Sequence, residues 1–161
     1  MAHLKRLEFQ AFQFQGYQGK RRVVSFGLHY DFNDGALHPA AAMPPFILDL
    51  RDNAARFAGI PASALTHALV TEYTEGAGIG WHRDRPVFGD VVGISLVSPC
   101  RFRLRRWVGS GWQRTSLVLE PRSAYLLRGP ARIVWEHSTP PAEELRYSVT
   151  FRSVRAPPEA S

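Results

Sequence analysis

The sequence predicts a mainly β protein, built as an antiparallel sandwich, barrel or jelly roll with one flanking helix. From residue 65 onward, six short runs rich in β-branched and aromatic residues follow one another, separated by Gly, Pro and Ser. Only one segment of the chain has a clear helical periodicity. Because strands do not alternate with helices, a parallel sheet of βαβ units is disfavoured.

The N-terminal third supplies one strand and the helix. Residues 1–20 are rich in aromatic residues and Gln without a strong pattern, which predicts an irregular arm or a short hairpin, and the alternation over 21–32 predicts a strand. A helix is predicted over 43–61, because prolines precede it and Gly59 and Pro61 end it. Its apolar side chains recur at helical spacing: Phe46, Leu50, Ala54 and Phe57.

The six β-like runs form the rest of the predicted domain. They lie at 66–73, 91–98, 100–108, 113–120, 123–129 and 145–154. We expect one domain of 161 residues, because 45% hydrophobic and 21% charged residues are ordinary for a globular chain of this length. Within it, residues 1–60 form the N-terminal arm, strand and helix, 65–154 the core, and 156–161 a flexible tail.

Charge and cysteine content bear on partners and compartment. The formal net charge is +6 and the pI about 10.1, carried almost wholly by arginine, which favours a polyanionic partner such as nucleic acid; an arginine-rich coding bias would give the same composition. The single cysteine, Cys100, cannot form an internal disulfide. No signal-peptide-like segment and no apolar run near the ~18 residues of a membrane span occurs. We expect a cytoplasmic, monomeric protein without a membrane partner.

The pair His82 and Asp84 is the first candidate for a functional site. A protein-kinase catalytic loop would need Asn five residues after the aspartate, where this chain has Gly89, and no kinase lysine or DFG segment accompanies it. On an extended segment, residues two apart point to the same face, so an imidazole nitrogen and a carboxylate oxygen can meet at one metal ion. The pair alone occurs often by chance, so a third ligand is required.

His137 is the best third ligand, at a turn-like position in the β-rich half of the chain. Two histidines and one carboxylate form the facial triad typical of non-haem iron(II), with open positions for a cosubstrate and oxygen. Zinc accepts the same ligands, so the residue types leave the metal undecided. The other histidines have no matching neighbours in the sequence and are interpreted as core or surface polar groups: His3, His29, His38 and His67.

The last run suggests an anion site. In "RYSVTFR", Arg146, Ser148, Thr150 and Arg152 share one face, and the residues between them are apolar or aromatic. Guanidinium groups bind carboxylates through two parallel hydrogen bonds, so paired arginines inside a barrel suit a dicarboxylate. The alternative is an edge strand whose basic face is solvated.

Together these residues resemble the AlkB family of iron(II)- and 2-oxoglutarate-dependent dioxygenases. The resemblance covers roughly residues 65–154 and includes the segment "EYTEGAGIGWHRD" with its Tyr-x-x-Gly lead-in. It implies a double-stranded β-helix (jelly-roll) core that uses Fe(II), 2-oxoglutarate and O2. It also implies that His82, Asp84 and His137 bind the metal.

The resemblance assigns further residues to the cosubstrate. Arg146 would hold the distal carboxylate of 2-oxoglutarate, Tyr73 would also bond it, and Arg152 would lie near the metal end and act in catalysis. Thr71 stands where the family usually has Asn, so that contact is weakened or replaced. Ser148, on the same strand face as the arginines, completes the expected cosubstrate pocket.

The resemblance further implies oxidative demethylation of N-alkylated bases in DNA or RNA, with release of formaldehyde, succinate and CO2. Candidates for stacking on a flipped base are His82 and three aromatic residues of the N-terminal half, for each of which a place in the core is the favoured alternative: Phe26, Tyr30 and Phe32. Pro86 stands where relatives carry an acidic residue, so no side-chain hydrogen bond to the base is expected from this position. A protein or small-molecule hydroxylase on the same scaffold, and a non-enzymatic metal-binding module, are the alternatives.

One strand offers candidate phosphate contacts. Arg101, Arg103 and Arg105 alternate along the run at 100–108 and therefore share a face. Backbone contacts of this kind dominate nucleic-acid affinity. A solvated strand face explains the same pattern equally well.

Overall fold

Two antiparallel sheets carry most of the chain in the computed structural model, which describes residues 2–14 and 17–155. The predicted flexible tail, 156–161, lies outside the described residues. The strands are β1 (Gln10–Phe14), β2 (Tyr17–Phe26), β3 (Leu28–Asp31), β4 (Ala36–Pro39), β5 (Leu65–Tyr73), β6 (Ile79–His82), β7 (Phe88–Leu96), β8 (Cys100–Trp107), β9 (Trp112–Leu119), β10 (Ser123–Leu127), β11 (Glu136–Thr139) and β12 (Arg146–Val154). The helices are α1 (Ala2–Lys5), α2 (Pro45–Ala58) and α3 (Pro130–Ile133), with a 3-10 turn at Ala62–Ala64.

The strand order is that of a double-stranded β-helix. The larger sheet runs β1-β2-β5-β12-β7-β10, and the smaller sheet runs β6-β11-β8-β9. Consecutive strands from β5 onward therefore pass repeatedly between the two sheets. A small apolar cluster joins them, because Val91 and Leu127 of the larger sheet pack with Phe102 and Leu119 of the smaller one. The predicted mainly β jelly roll is confirmed.

The helix α2 covers the outer face of the larger sheet. It begins at the prolines and ends at Gly59, whose φ of 69° is the left-handed conformation that favours glycine. Ile47 and Ala55 of α2 are buried with Val70 and Phe151 of the sheet in the main core. The predicted helix is confirmed within three residues at each end.

Strand β12 separates an apolar face from a polar one. Tyr147 and Val149 belong to the core under α2, whereas Arg146, Ser148 and Thr150 are buried on the opposite side. Since β12 pairs with β5 on one side and β7 on the other, it is a central strand. The alternative of a solvated edge strand is wrong, and the arginines lie inside the jelly roll.

The sequence expectations differ from the structure mainly in the short elements. The strand predicted over 21–32 breaks at Gly27, where φ is 75° and a Cβ would lie 2.1 Å from the carbonyl oxygen of Thr66. The chain then enters the separate β3–β4 hairpin. Of the two possibilities for residues 1–20, the hairpin is correct, since β1 pairs with β2. None of the described helices is long and apolar enough to span a membrane.

Candidate active site

His82, Asp84 and His137 meet at one point of the smaller sheet. His82 ends β6, and His137 lies directly opposite it in β11. His137 is therefore in a strand, and its predicted turn-like position is wrong. The Oδ1 atom of Asp84 lies 3.6 Å from Nε2 of His82 and 3.5 Å from Nε2 of His137. The ligand atoms of all three side chains lie within 4.8 Å of one another.

This arrangement fits a metal ion. An ion with bonds of roughly 2.1 Å holds neighbouring ligand atoms about 3–3.5 Å apart, close to the separations found here. The Nδ1 atom of His82 lies 2.9 Å from the carbonyl oxygen of Gly80, so an Nδ1–H can donate there and leave the Nε2 lone pair toward the ion. Burial lowers the pKa of His137 to about 3, which keeps this imidazole neutral and able to ligate.

Arg152 fixes the carboxylate of Asp84. Its Nε donates to Oδ2 of Asp84 at 2.6 Å, so one carboxylate oxygen is held by the guanidinium and the other faces the two histidines. Burial would raise the pKa of Asp84, whose side chain is 4% exposed, but Arg152 and the imidazoles hold that pKa well below its usual range. Arg152 thus lies beside the metal ligands, at the metal end of the site, as the family resemblance implied.

Arg146 lies farther along the same interior face. It is 4% exposed, its Nε donates to Oγ of Ser95 at 3.1 Å, and its guanidinium lies 4.9 Å from the ring centre of Tyr73. In the part of the chain that the structure describes, it forms no ion pair with a carboxylate. A buried charge without a counter-ion is unfavourable, so this position fits the carboxylate of a ligand.

The remaining predicted cosubstrate residues also face the interior. Ser148 lies opposite Thr71 of β5 and opposite Ser95 of β7, and all three are buried. Tyr73 lies directly opposite Arg146. The structure therefore brings every predicted cosubstrate residue to one wall of the jelly roll, between Arg152 and Arg146.

Tyr125 and Gly93 complete this wall and were missed by sequence reasoning. Tyr125 of β10 lies opposite Gly93 of β7, and a Cβ at Gly93 would lie 2.1 Å from the tyrosine ring. Burial raises the pKa of Tyr125 to about 12. A glycine inside a predicted strand is the available signal, because it often marks a close approach of another group.

Arg132 was also missed. It is buried, and its guanidinium donates to the carbonyl oxygens of Asp84 and Arg85, between β6 and β7, and of Phe88 and Gly89, the first two residues of β7. Each of these four carbonyl groups thereby has a hydrogen-bond donor. Arg132 fixes the conformation of the segment that carries Asp84.

Two histidines that were interpreted as isolated polar groups have charged neighbours. His67 is buried, its Nδ1 lies 3.4 Å from Nη1 of Arg152, and burial lowers its pKa to about 3. His38 contacts Asp34 at 2.7 Å on the exposed β3–β4 hairpin. The first belongs to the surroundings of the metal ligands, and the second is a surface polar group.

The proposed stacking residues divide between core and site. Phe26 is buried in the main core, so it is not available to a substrate. Tyr30 and Phe32 lie next to each other on the β3–β4 hairpin side, and the guanidinium of Arg85 lies 5.8 and 5.1 Å from their ring centres. Tyr30 also neighbours Phe88, whose ring lies 5.4 Å from the guanidinium of Arg152. An aromatic wall therefore stands beside the segment after Asp84.

Comparison with known proteins agrees with this geometry. Residues 5–152 match the 2OG-Fe(II) oxygenase superfamily. An Arabidopsis thaliana protein described as "Alkylated DNA repair protein ALKBH8 homolog" is 28% identical over 145 residues, covering 75% of this chain and 42% of that protein. An uncharacterized protein of Acanthamoeba polyphaga mimivirus is 30% identical over 101 residues, covering 53% of this chain and 47% of that protein.

This chain spans less than half the length of either relative. The superfamily match, in contrast, runs from the N-terminal helix α1 into the last strand, β12. The chain therefore belongs to the 2OG-Fe(II) oxygenase superfamily.

Proposed function

We propose that this dioxygenase removes methyl groups from N-alkylated bases in nucleic acid. The observation that carries the proposal is the aromatic wall of Tyr30 and Phe32, with Arg85, beside the segment that holds Asp84. Flat rings and guanidinium planes stack on extruded bases, and a base must leave its stack to reach a buried site. The +6 charge supports a polyanionic substrate.

The metal-binding and cosubstrate-binding side chains lie in different parts of the site. His82, Asp84 and His137 would hold Fe(II), and Arg152 keeps the Asp84 carboxylate ionised and oriented. Arg146 would bind the distal carboxylate of 2-oxoglutarate, with Ser148, Thr71 and Tyr73 around it.

When bound, Fe(II), 2-oxoglutarate and O2 supply the oxidising chemistry. In the overall reaction, one N-methyl group, 2-oxoglutarate and O2 are converted into the free N–H group, formaldehyde, succinate and CO2. The protein's part is to place the methyl group and exclude competing substrates. Phe88 and Tyr30, packed against each other, close one side of the site.

A relative's name gives independent support. The Arabidopsis thaliana relative is described as an alkylated DNA repair protein. Membership in an oxygenase superfamily favours an enzyme over a non-enzymatic metal-binding module. A protein or small-molecule hydroxylase remains the competing substrate class.

The test is a screen of methylated oligonucleotides by mass spectrometry. The purified protein, Fe(II) and 2-oxoglutarate are incubated with single- and double-stranded DNA and RNA that carry single N-methylated bases. We expect loss of one methyl mass from at least one substrate and none with Asp84→Ala. Active 2-oxoglutarate turnover with no demethylation of any oligonucleotide contradicts the proposal and favours a peptide or metabolite hydroxylase.

A further inference from the structure

The outer face of the smaller sheet is a second candidate contact surface. His82, His137 and Leu104 point into the jelly roll, so their neighbours along each strand point outward. We call this the Trp/Arg face, and it is formed by Trp81, Arg101, Arg103, Arg105, Trp112 and Arg114. It lies behind the metal ligands, on the opposite side of the same strands.

Arg105 holds the tryptophans of this face in place. Its guanidinium lies 4.5 Å from the ring centre of Trp81 and 3.9 Å from that of Trp112. Its Nε donates to Glu136 at 3.0 Å, so Arg105 is ion-paired. Arg105 therefore serves as a support for two indole rings rather than as a free phosphate contact.

Beside Trp81 lies a hollow of about 320 Å³ lined by three arginines. Arg103 donates to Oγ of Ser138 and Arg101 to Oγ of Ser116, which orients both guanidinium groups. Within the described residues, neither these two nor Arg114 is paired with a carboxylate. The hollow is therefore positively charged and equipped with N–H donors for an anion.

On the other side of Arg105 lies a second hollow, of about 480 Å³. Its lining combines four apolar side chains, Trp107, Trp112, Ile133 and Val134, with the charged side chains of Arg83 and Glu136, and Trp107 is 58% exposed. Indole rings at the surface offer flat faces to planar ligands. The Trp/Arg face thus places an aromatic hollow and an anion hollow next to each other on one sheet.

We propose that the Trp/Arg face binds a single-stranded stretch of the nucleic acid whose methylated base enters the metal site. Alternating aromatic platforms and arginines are what single-strand binding requires, because bases stack on the rings and phosphates meet the cations. The arginine hollow takes a phosphate group, and the Trp107/Trp112 hollow takes a base. This inference rests on the proposed function for the identity of the strand.

Charge reversal tests the surface. The double variant Arg101→Glu/Arg114→Glu changes two exposed residues of the face, and its matched control, Arg6→Glu/Arg56→Glu, changes two exposed arginines in the N-terminal third of the chain. Each exchange of Arg for Glu lowers the formal net charge by two, so the net charge of both double variants falls from +6 to +2. The probe is an unmethylated, labelled single strand of roughly 16 nucleotides, near the upper site size of single-strand grooves.

Binding is measured by fluorescence anisotropy at several salt concentrations. If two phosphate contacts are lost, affinity at low salt falls on the order of tenfold and the slope of log affinity against log salt decreases by about 1.4. Trp112→Ala is expected to weaken binding about tenfold with the slope unchanged, because stacking releases no counterions. The control pair is expected to bind like the wild type within about twofold.

A methylated trinucleotide, too short to bridge both surfaces, separates this inference from the proposed function. Its demethylation should be unchanged in the Trp/Arg-face variants. Wild-type affinity for the long strand in these variants, or an equal loss in the control pair, overturns the inference and favours a protein partner for the face. If the long strand binds as expected but no methylated oligonucleotide is demethylated, the surface stands and the proposed function fails.

Discussion

Replacing Arg146 by lysine tests how the site recognises its cosubstrate. Arg146 is 4% exposed, and its guanidinium is oriented by Oγ of Ser95 and by the ring of Tyr73. Lysine keeps the positive charge but cannot form two parallel hydrogen bonds to a carboxylate. Loss of one charge-assisted hydrogen bond is worth about 1.5–3 kcal/mol, which corresponds to about a 10- to 150-fold higher KM for 2-oxoglutarate.

The assay follows succinate formation at saturating and limiting 2-oxoglutarate, with the prime substrate fixed and then varied. The KM for the prime substrate should change by less than about threefold, because Arg146 lies on the cosubstrate side of the site. Arg56→Lys, an exposed control on α2, should change neither value. Equal increases in both KM values for Arg146→Lys would refute the assignment and indicate a folding defect or a substrate contact.

Three further predictions concern the surroundings of the metal ligands. Gly93→Ala should destabilise the fold by about 1–3 kcal/mol and weaken 2-oxoglutarate binding, because the new Cβ meets the ring of Tyr125. Urea unfolding measures the first effect and ligand titration the second, and unchanged values in both would contradict the prediction. Arg132→Lys should lower the free energy of unfolding by about 2–4 kcal/mol and reduce iron affinity, because one ammonium group cannot donate to all four carbonyl groups. The control Arg128→Lys, at the surface, should change both values little. Similar effects of the two variants would be evidence against the role of Arg132. The metal-free protein should lose stability as pH falls below about 6.5, because the unfolded chain protonates His67 and His137 while their folded pKa values are about 3, and each contributes up to about 1.4 kcal/mol per pH unit. His67→Gln should make that slope shallower in urea unfolding, and an unaltered slope would disprove the assignment.

The long elements of the fold could be predicted from sequence because they carry their own patterns. α2 has helical spacing and a glycine stop, and β12 alternates cleanly between apolar and polar residues. β6 and β11 have four residues each, too few for a periodicity to show. They are strands because they pair with each other and because β11 also pairs with β8, and only the assembled sheet determines these pairings.

The residues of the candidate site could be predicted where they lie close together in the sequence. His82 and Asp84 share a face, and Arg146 and Arg152 share another, both within a few residues. Tyr125 and Arg132 could not be assigned, because their contacts to Gly93 and to the segment after Asp84 join residues far apart in the chain. The same limit applies to Arg105, whose ion pair with Glu136 crosses between β8 and β11.

Anaerobic titration with Fe(II) in the presence of 2-oxoglutarate tests whether His82, Asp84 and His137 hold one iron ion in reach of a cosubstrate bound by Arg146. The visible charge-transfer band of the iron–2-oxoglutarate chelate should saturate at one equivalent of iron per chain and should be lost in His137→Ala. A His137→Ala variant with the same stoichiometry, iron affinity and band as the wild type would show that His137 does not bind the iron.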